Sequence, residues 1–119
     1  MSILDRQGTS TTTAAVRPGA LRCTCAVDRG RLELRIRGEI DVANVHLLDA
    51  WLGAAQAVGN PVVLDLGAVP FLDSSALKAL LQAAGRSAVR IRSATPAVRR
   101  VLRVSGVDQV ITVDPSPPG

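Results

Sequence analysis

One stretch of the chain decides the fold, and it reads VVLDLGAVPFLDSSAL over residues 62–77. Residues 62–66 are short and nearly all apolar, which is typical of a strand covered on both faces. A loop containing glycine and proline follows over residues 67–72. The Asp-Ser-Ser at 73–75 then supplies side chains that commonly begin helices. The stretch therefore predicts a buried strand, a loop and a helix, in that order.

Two amphipathic helices flank this strand. The helix that follows it is predicted to end at Gly85, and its buried stripe comprises Leu77, Leu80, Leu81 and Ala84. Before the strand, Asp41 is expected to cap another helix, which Gly59-Asn60-Pro61 ends. The apolar stripe of that helix comprises Val45, Leu48, Leu52, Ala55 and Val58, with Trp51 beside it.

Alternation of apolar and polar residues predicts a hairpin near the N-terminus. The alternation runs over residues 21–27 and again over residues 31–37, and a short turn containing Gly30 joins the two runs. Such a pattern is typical of two half-buried antiparallel strands. We therefore expect the chain to enter the domain through a hairpin.

The C-terminal third repeats the strand–helix pattern. Val89 and Ile91 alternate with arginines in a strand, and Thr95-Pro96 then begins a short helix that ends at Ser105-Gly106. A last strand is predicted over residues 110–113. The resulting order, β-β-α-β-α-β-α-β, predicts an α/β fold in which a hairpin and right-handed parallel crossovers make a mixed sheet with helices packed against it.

The length and composition fit one folded domain. The chain has 119 residues, of which 47% are hydrophobic and 20% charged. Residues 1–18 lack apolar periodicity and are predicted to form a flexible leader, residues 19–114 the domain, and residues 115–119 a tail. The sequence contains neither an apolar run near the ~20 residues of a membrane span nor a signal-peptide core. A cytoplasmic location is therefore expected.

The chain is basic, with a net charge of +4 and thirteen arginines against the single Lys78. Because the charges are spread along the sequence, we interpret them as a solvated surface that would steer an acidic partner toward the protein. One Trp, one Phe and no Tyr leave few side chains to stack on bases. Direct nucleic-acid binding is therefore not expected.

The sequence offers little to a catalytic or metal site. Cys23 and Cys25 would share one face of a strand, and two thiols alone make a poor metal site, so we interpret them as small buried hydrophobes. His46 is the only histidine, and the chain has no glycine-rich phosphate loop. By spacing alone, the residues at 73–75 are most simply a helix cap. We expect no enzyme activity, metal or cofactor.

Three motifs, taken in order, resemble STAS domains of the anti-sigma factor antagonist type. The first is Val63-Leu64-Asp65-Leu66 followed by residues 69–77, and the second is Gly38-Glu39-Ile40-Asp41. The third is the run over residues 95–102 followed by Ser105-Gly106-Val107. The resemblance covers residues 20–113, and the predicted element order agrees with the STAS fold.

This resemblance implies a function that depends on Ser74. In the family, the serine directly after the motif aspartate is phosphorylated by an anti-sigma factor that is itself a serine kinase, and a phosphatase removes the phosphate. By this resemblance, the phosphoacceptor of this chain is Ser74. The resemblance also implies five partner-binding residues: Asp73, Ser74, Ser75, Ala76 and Asp41. The family usually has Gly where this chain has Ala76. Unphosphorylated antagonist binds the anti-sigma factor and frees the sigma factor, so this partner switching regulates transcription.

Two other functions remain open from the sequence. One is a STAS scaffold in a larger signalling assembly, which binds partners without a serine phosphoswitch. The other is a module that binds a small ligand or nucleotide, with Asp41 taking part. The sequence also leaves open whether the protein forms a weak homodimer.

Overall fold

The computed structural model describes residues 10–11 and 20–115. In chain order, the elements are β1 (Ser10–Thr11), β2 (Arg22–Asp28), β3 (Arg31–Arg37), α1 (Val45–Ala57), β4 (Val62–Ala68), α2 (Ser74–Arg86), β5 (Val89–Ala94), α3 (Pro96–Ser105), a 3₁₀ helix (Val107–Gln109) and β6 (Thr112–Val113). From β2 onward, the order β-β-α-β-α-β-α-β is the predicted one. The α/β prediction is therefore confirmed.

The strands form one mixed sheet in the sequential order β1 to β6. β2 is antiparallel to β1 and β3, whereas each strand from β3 to β6 is parallel to the next. In the turn between β2 and β3, Arg29 and Gly30 have φ angles of 52° and 76°. Two successive positive φ angles are typical of the type I′ turn, whose twist matches that of a hairpin. The hairpin and the parallel crossovers are thus as predicted.

β1 lies within the residues predicted to form a flexible leader. Ser10 and Thr11 pair antiparallel with Cys25 and Thr24 of β2, so these two residues belong to the sheet. The other residues of the leader, like residues 116–119 of the predicted tail, lie outside the described part of the chain. The domain boundaries at 19 and 114 stay predictions.

The three helices cover the same face of the sheet. Their buried side chains form a single core with the inward residues of the strands, which include Leu32, Leu34, Ile36, Leu64, Leu66 and Ile91. Val63 is also buried, but it lies outside this core, on the face of the sheet opposite the helices. Its cross-strand neighbours there are Glu33 and Arg90. The prediction that this strand is covered on both faces is therefore wrong, because only one face meets helices. The other face is polar.

The start and end of α1 differ from the prediction. The helix begins at Val45 with Asn44 at the N-cap position, and Asp41 lies in the turn before it. At the other end, Val58 is exposed at the C-cap instead of completing the stripe. The buried residues are Leu48, Trp51, Leu52 and Ala55, which have the expected helical spacing.

The buried stripe of α2 is shifted by one residue from the predicted one. Its fully buried residues are Ala76, Ala79, Leu80 and Ala83, and Leu77 and Ala84 are partly buried. Leu81, predicted to be buried, is exposed. The helix continues through Gly85 to Arg86. Alanines on the inner face let α2 approach α1, with which it packs, and the leucine at 81 is left outside.

The helix α3 has the predicted capping residues. The hydroxyl of Thr95 accepts a hydrogen bond from the Val98 N–H at 3.2 Å, and Pro96 occupies the first turn. Gly106 ends the helix with a φ of 82°. The last strand is shorter than predicted because the Ile111 N–H bonds back to the Val107 carbonyl at 2.8 Å, in the 3₁₀ turn.

The two cysteines are buried on the helix-covered face of β2, as predicted. Burial, together with the neighbouring Cys25, raises the pKa of the Cys23 thiol to about 12. None of the described helices is both long and apolar enough to cross a membrane.

Candidate functional site

The side chain of Asp73 organises the start of α2. As the N-cap residue it has extended backbone angles, and its Oδ1 accepts hydrogen bonds from the N–H groups of Ser75 and Ala76, at 3.0 and 3.2 Å. The Ala76 N–H also donates to the Asp73 backbone carbonyl at 3.1 Å, so the carboxylate serves chiefly the Ser75 N–H, which has no other acceptor among the described residues. The capping role inferred from the sequence is confirmed.

The same carboxylate also holds the loop that precedes α1. Its Oδ2 accepts a hydrogen bond from the Val42 N–H at 3.2 Å. Beside this contact, the Ile40 N–H donates to the Phe71 carbonyl and the Asp73 N–H donates to the Ile40 carbonyl, both at 3.1 Å. Two hydrogen bonds therefore join the second motif to the first, and a third comes from Val42, the residue directly after the second motif.

Asp41 shapes this loop from within. Its Oδ1 accepts from the Ala43 N–H at 3.0 Å, and its own N–H donates to Oδ1 of Asn44 at 3.0 Å. The Asp41 carbonyl accepts from the N–H groups of Asn44 and Val45, which leads the chain into α1. Asp41 thus builds the turn that lies next to Asp73, rather than capping the helix itself.

The two adjacent serines have different environments. The Ser75 hydroxyl is partly buried and donates to Oδ1 of Asp73 at 2.5 Å. Ser74, the first residue of α2, is exposed, and its hydroxyl makes no hydrogen bond within the described residues. Of the two hydroxyls, only that of Ser74 is therefore available to another molecule without breaking an internal contact.

The electrostatics favour a charged Asp73. The hydrogen bond from the Ser75 hydroxyl, followed by those from the backbone N–H groups of Ala76, Ser75 and Val42, lowers the pKa of this carboxyl against a smaller opposing effect of burial. The carboxylate is therefore ionised at neutral pH. It places a fixed negative charge one residue from the Ser74 hydroxyl.

Two exposed apolar side chains belong to the segments that are hydrogen-bonded beside Asp73. Val42 is 77% exposed and Phe71 is 51% exposed, and each belongs to a segment that is hydrogen-bonded beside Asp73. The sequence analysis predicted neither of them as a site residue. The presence of a single phenylalanine in a loop could have indicated Phe71. Ala76, in contrast, is fully buried, so its methyl group belongs to the core and leaves the surface beside Ser74 unobstructed.

The site lacks the arrangement of a serine nucleophile. His46 is exposed on α1, and within the described residues no hydrogen bond joins it to either serine. The same part of the chain has no cluster of three or more His, Cys, Asp or Glu side chains that could hold a metal ion. The site instead presents the exposed hydroxyl of Ser74 beside segments that carry exposed apolar side chains.

The fold resembles those of anti-sigma factor antagonists. An antagonist from Mycobacterium paratuberculosis is 26% identical, with a TM-score of 0.76 over 86% of this chain and 92% of that one. SpoIIAA in its unphosphorylated form is 20% identical, with a TM-score of 0.63 over 81% and 89% of the two chains. Phosphorylated SpoIIAA, a Bacillus cell fate determinant, is 20% identical, with a TM-score of 0.58 over 81% and 92%.

At 20% identity the two SpoIIAA structures establish a shared fold and no more. No curated protein matches the sequence. The STAS domain family, however, matches residues 24–117, which include all three motifs and the whole surface around Ser74. The chain therefore belongs to the STAS domain family.

Proposed function

We propose that this STAS domain is an anti-sigma factor antagonist whose binding is switched off by phosphorylation of Ser74. Its partner is an anti-sigma factor with serine kinase activity, and a phosphatase restores the binding form. The observation that carries the proposal is the contrast between the two serines. The Ser74 hydroxyl is exposed and makes no hydrogen bond to residues 10–11 or 20–115, whereas the Ser75 hydroxyl is bound to Asp73.

The helix start can hold a phosphate without unfolding. A phosphate on Ser74 would add about −1.5 to −2 charges at the N-terminus of α2. The positive end of the helix dipole there stabilises an anion. Because the Ser74 hydroxyl makes no hydrogen bond to the described residues that the phosphate would displace, we expect the domain to keep its structure when it is modified.

The same phosphate would oppose a bound partner. Val42 and Phe71 offer apolar area that an interface would bury, next to the ionised Asp73. Burying a dianion in that contact costs desolvation energy, and the Asp73 carboxylate adds like-charge repulsion. Phosphorylation would therefore weaken the complex far more than it destabilises the fold. The protein acts by binding in this mechanism and performs no catalysis itself.

The relatives support this assignment. The mycobacterial relative is described as an anti-sigma factor antagonist, and SpoIIAA has been solved both with and without its phosphate. Switching by a kinase and a phosphatase would couple this chain to sigma-factor-dependent transcription.

Intact-mass measurement tests the proposal. The protein is incubated with ATP and each candidate anti-sigma kinase of its own organism, together with the variants Ser74→Ala and Ser75→Ala. We expect the parent and Ser75→Ala to gain one phosphate and Ser74→Ala to gain none. If no kinase modifies the parent while an anti-sigma factor still binds it, the scaffold function without a phosphoswitch replaces this proposal.

A further inference from the structure

The polar face of the sheet gathers arginines that are far apart in the sequence. Strand alternation places on this face Arg22, Arg31, Arg35, Arg37, Arg90 and Arg92. The basic residues are spread along the sequence, but strand pairing brings these six together on one exposed face. Ion pairs engage three of the six, since Glu33 binds Arg35 and Arg92 at 3.0 and 2.6 Å, and Asp114 binds Arg90 at 2.6 Å.

Two of the remaining arginines face each other. In the register of the hairpin, Arg22 of β2 lies directly opposite Arg37 of β3, whereas Arg31 at the other end lies opposite Asp28. Like charges at directly opposite positions destabilise an antiparallel pair. Neither Arg22 nor Arg37 has a side-chain hydrogen bond or ion pair within the described residues. One end of the hairpin thus carries two positive charges that nothing in the described fold compensates.

These two arginines line a surface cavity of about 550 Å³. Thr24 and Arg35 also line it, and Arg35 uses only its Nε to bind Glu33, which leaves its two terminal nitrogens for a ligand. Asp65, the one carboxylate among the described lining residues, is already engaged. Its Oδ1 accepts from the Gly67 N–H at 2.9 Å, and its Oδ2 lies 3.4 Å from Arg92.

We propose that this cavity binds a phosphate group, as free phosphate or as a phosphomonoester of a small molecule. Guanidinium groups bind phosphate oxygens through paired N–H donors, and a dianion would neutralise the repulsion between Arg22 and Arg37. The Thr24 hydroxyl adds a further donor. The described residues of the lining include no aromatic side chain, so the site would recognise the phosphate and not a stacked base.

An acidic protein segment is a poorer occupant of this cavity. Protein interfaces depend on apolar or aromatic anchors that fill pockets at their centre. The larger apolar residue of this lining, Ile36, is fully buried in the core and offers no such anchor. The site is also independent of Ser74, since none of its lining residues belongs to the start of α2. Failure of either proposal therefore leaves the other standing.

Calorimetric titration with sodium phosphate tests the site in the full chain. The variant Arg37→Gln removes one of the facing charges, and Arg100→Gln removes an exposed charge on α3 as a control. At constant ionic strength, we expect saturable binding to the parent and to Arg100→Gln, and at least tenfold weaker binding to Arg37→Gln. Glycerol 3-phosphate is titrated in parallel to distinguish free phosphate from a phosphomonoester. Tighter binding of phosphate identifies free phosphate as the natural ligand, and tighter binding of glycerol 3-phosphate identifies a monoester.

A melting experiment provides an independent readout. Without phosphate and at low salt, Arg37→Gln should unfold at the same temperature as the parent or higher, because a repulsion has been removed. Adding phosphate should raise the unfolding temperature of the parent more than that of Arg37→Gln. The proposal is overturned if phosphate affects all three proteins equally, or if a polyglutamate peptide binds in an Arg37-dependent way while phosphate does not.

Discussion

The Oδ2 atom of Asp73 accepts a hydrogen bond from the backbone N–H of Val42, which lies 31 residues earlier in the chain, at 3.2 Å. The other oxygen of the same carboxylate caps α2. One side chain therefore fixes both the helix that carries Ser74 and the loop that carries the exposed Val42. The shape of the candidate partner surface depends on this carboxylate.

Replacing Asp73 should destabilise the domain. Asp73→Ala removes the helix cap, and loss of an N-cap side chain costs about 1 kcal/mol in the free energy of unfolding. Asp73→Asn keeps an oxygen that can cap the helix and should cost less. Urea denaturation measures both, with Ser74→Ala as the control that leaves the cap intact. Equal stability of all three variants would contradict the role of the carboxylate.

The lowered pKa of Asp73 predicts a pH dependence of stability. Since the folded state holds this pKa below the ordinary value of 3.8, the stabilisation is fully present above that value. It is lost as the pH falls through the lowered pKa. The Ser75 hydroxyl is the largest cause of the shift, so Ser75→Ala should raise the pKa of Asp73 toward its ordinary value. Carboxyl ¹³C NMR titration measures this, and an unchanged pKa would refute it.

Variants of Ser74 should separate folding from binding. Ser74→Ala should fold and bind the proposed anti-sigma factor permanently. Ser74→Asp should fold but bind more weakly, because a second carboxylate beside Asp73 must be desolvated. A loss on the order of 2 kcal/mol corresponds to about thirtyfold in affinity. Calorimetry compares the affinities of the two variants. Ser75→Asp, which places a carboxylate about 100° further round the helix, is measured beside them. Equal affinities of Ser74→Ala and Ser74→Asp would exclude a charge switch at this position.

The buried cysteines should react slowly with thiol reagents. The thiolate is the reactive form, and a pKa of about 12 leaves Cys23 almost wholly protonated at neutral pH. We therefore expect slow labelling of Cys23 and Cys25 in the native protein and fast labelling in denaturant. Mass spectrometry over a time course measures both rates. Rapid native labelling would show that β2 opens readily.

Local signals in the sequence were sufficient for most of the secondary structure. The alternation over residues 31–37 identified β3, and the Thr95-Pro96 pair identified the start of α3, because both depend only on neighbouring residues. The buried face of α2 was misjudged because hydropathy favours Leu81 over Ala83. The space between α2 and its neighbours instead selects small side chains, and only the packed structure defines that space.

Contacts between distant segments could not be predicted in this way. Ser74 was predicted as a site residue through its motif, but the hydrogen bond from Val42 to Asp73 depends on how the loops after β3 and β4 meet. Arg22 and Arg37 likewise lie opposite each other only in the observed register of the strands. A shift of one residue would pair each of them with a different residue. The sequence shows which charges exist, and the sheet decides which of them meet.

The hydrogen bonds between the loop at 39–44 and residues 71–73 also bear on what a kinase would recognise. The surface around Ser74 comes from two segments that adjoin only in the folded chain. A synthetic peptide covering residues 68–82 would contain the serine but lack Val42 and the cap geometry. The modifying enzyme would thus act on a conformational epitope, so unfolded or nascent chains would escape phosphorylation until the domain has formed.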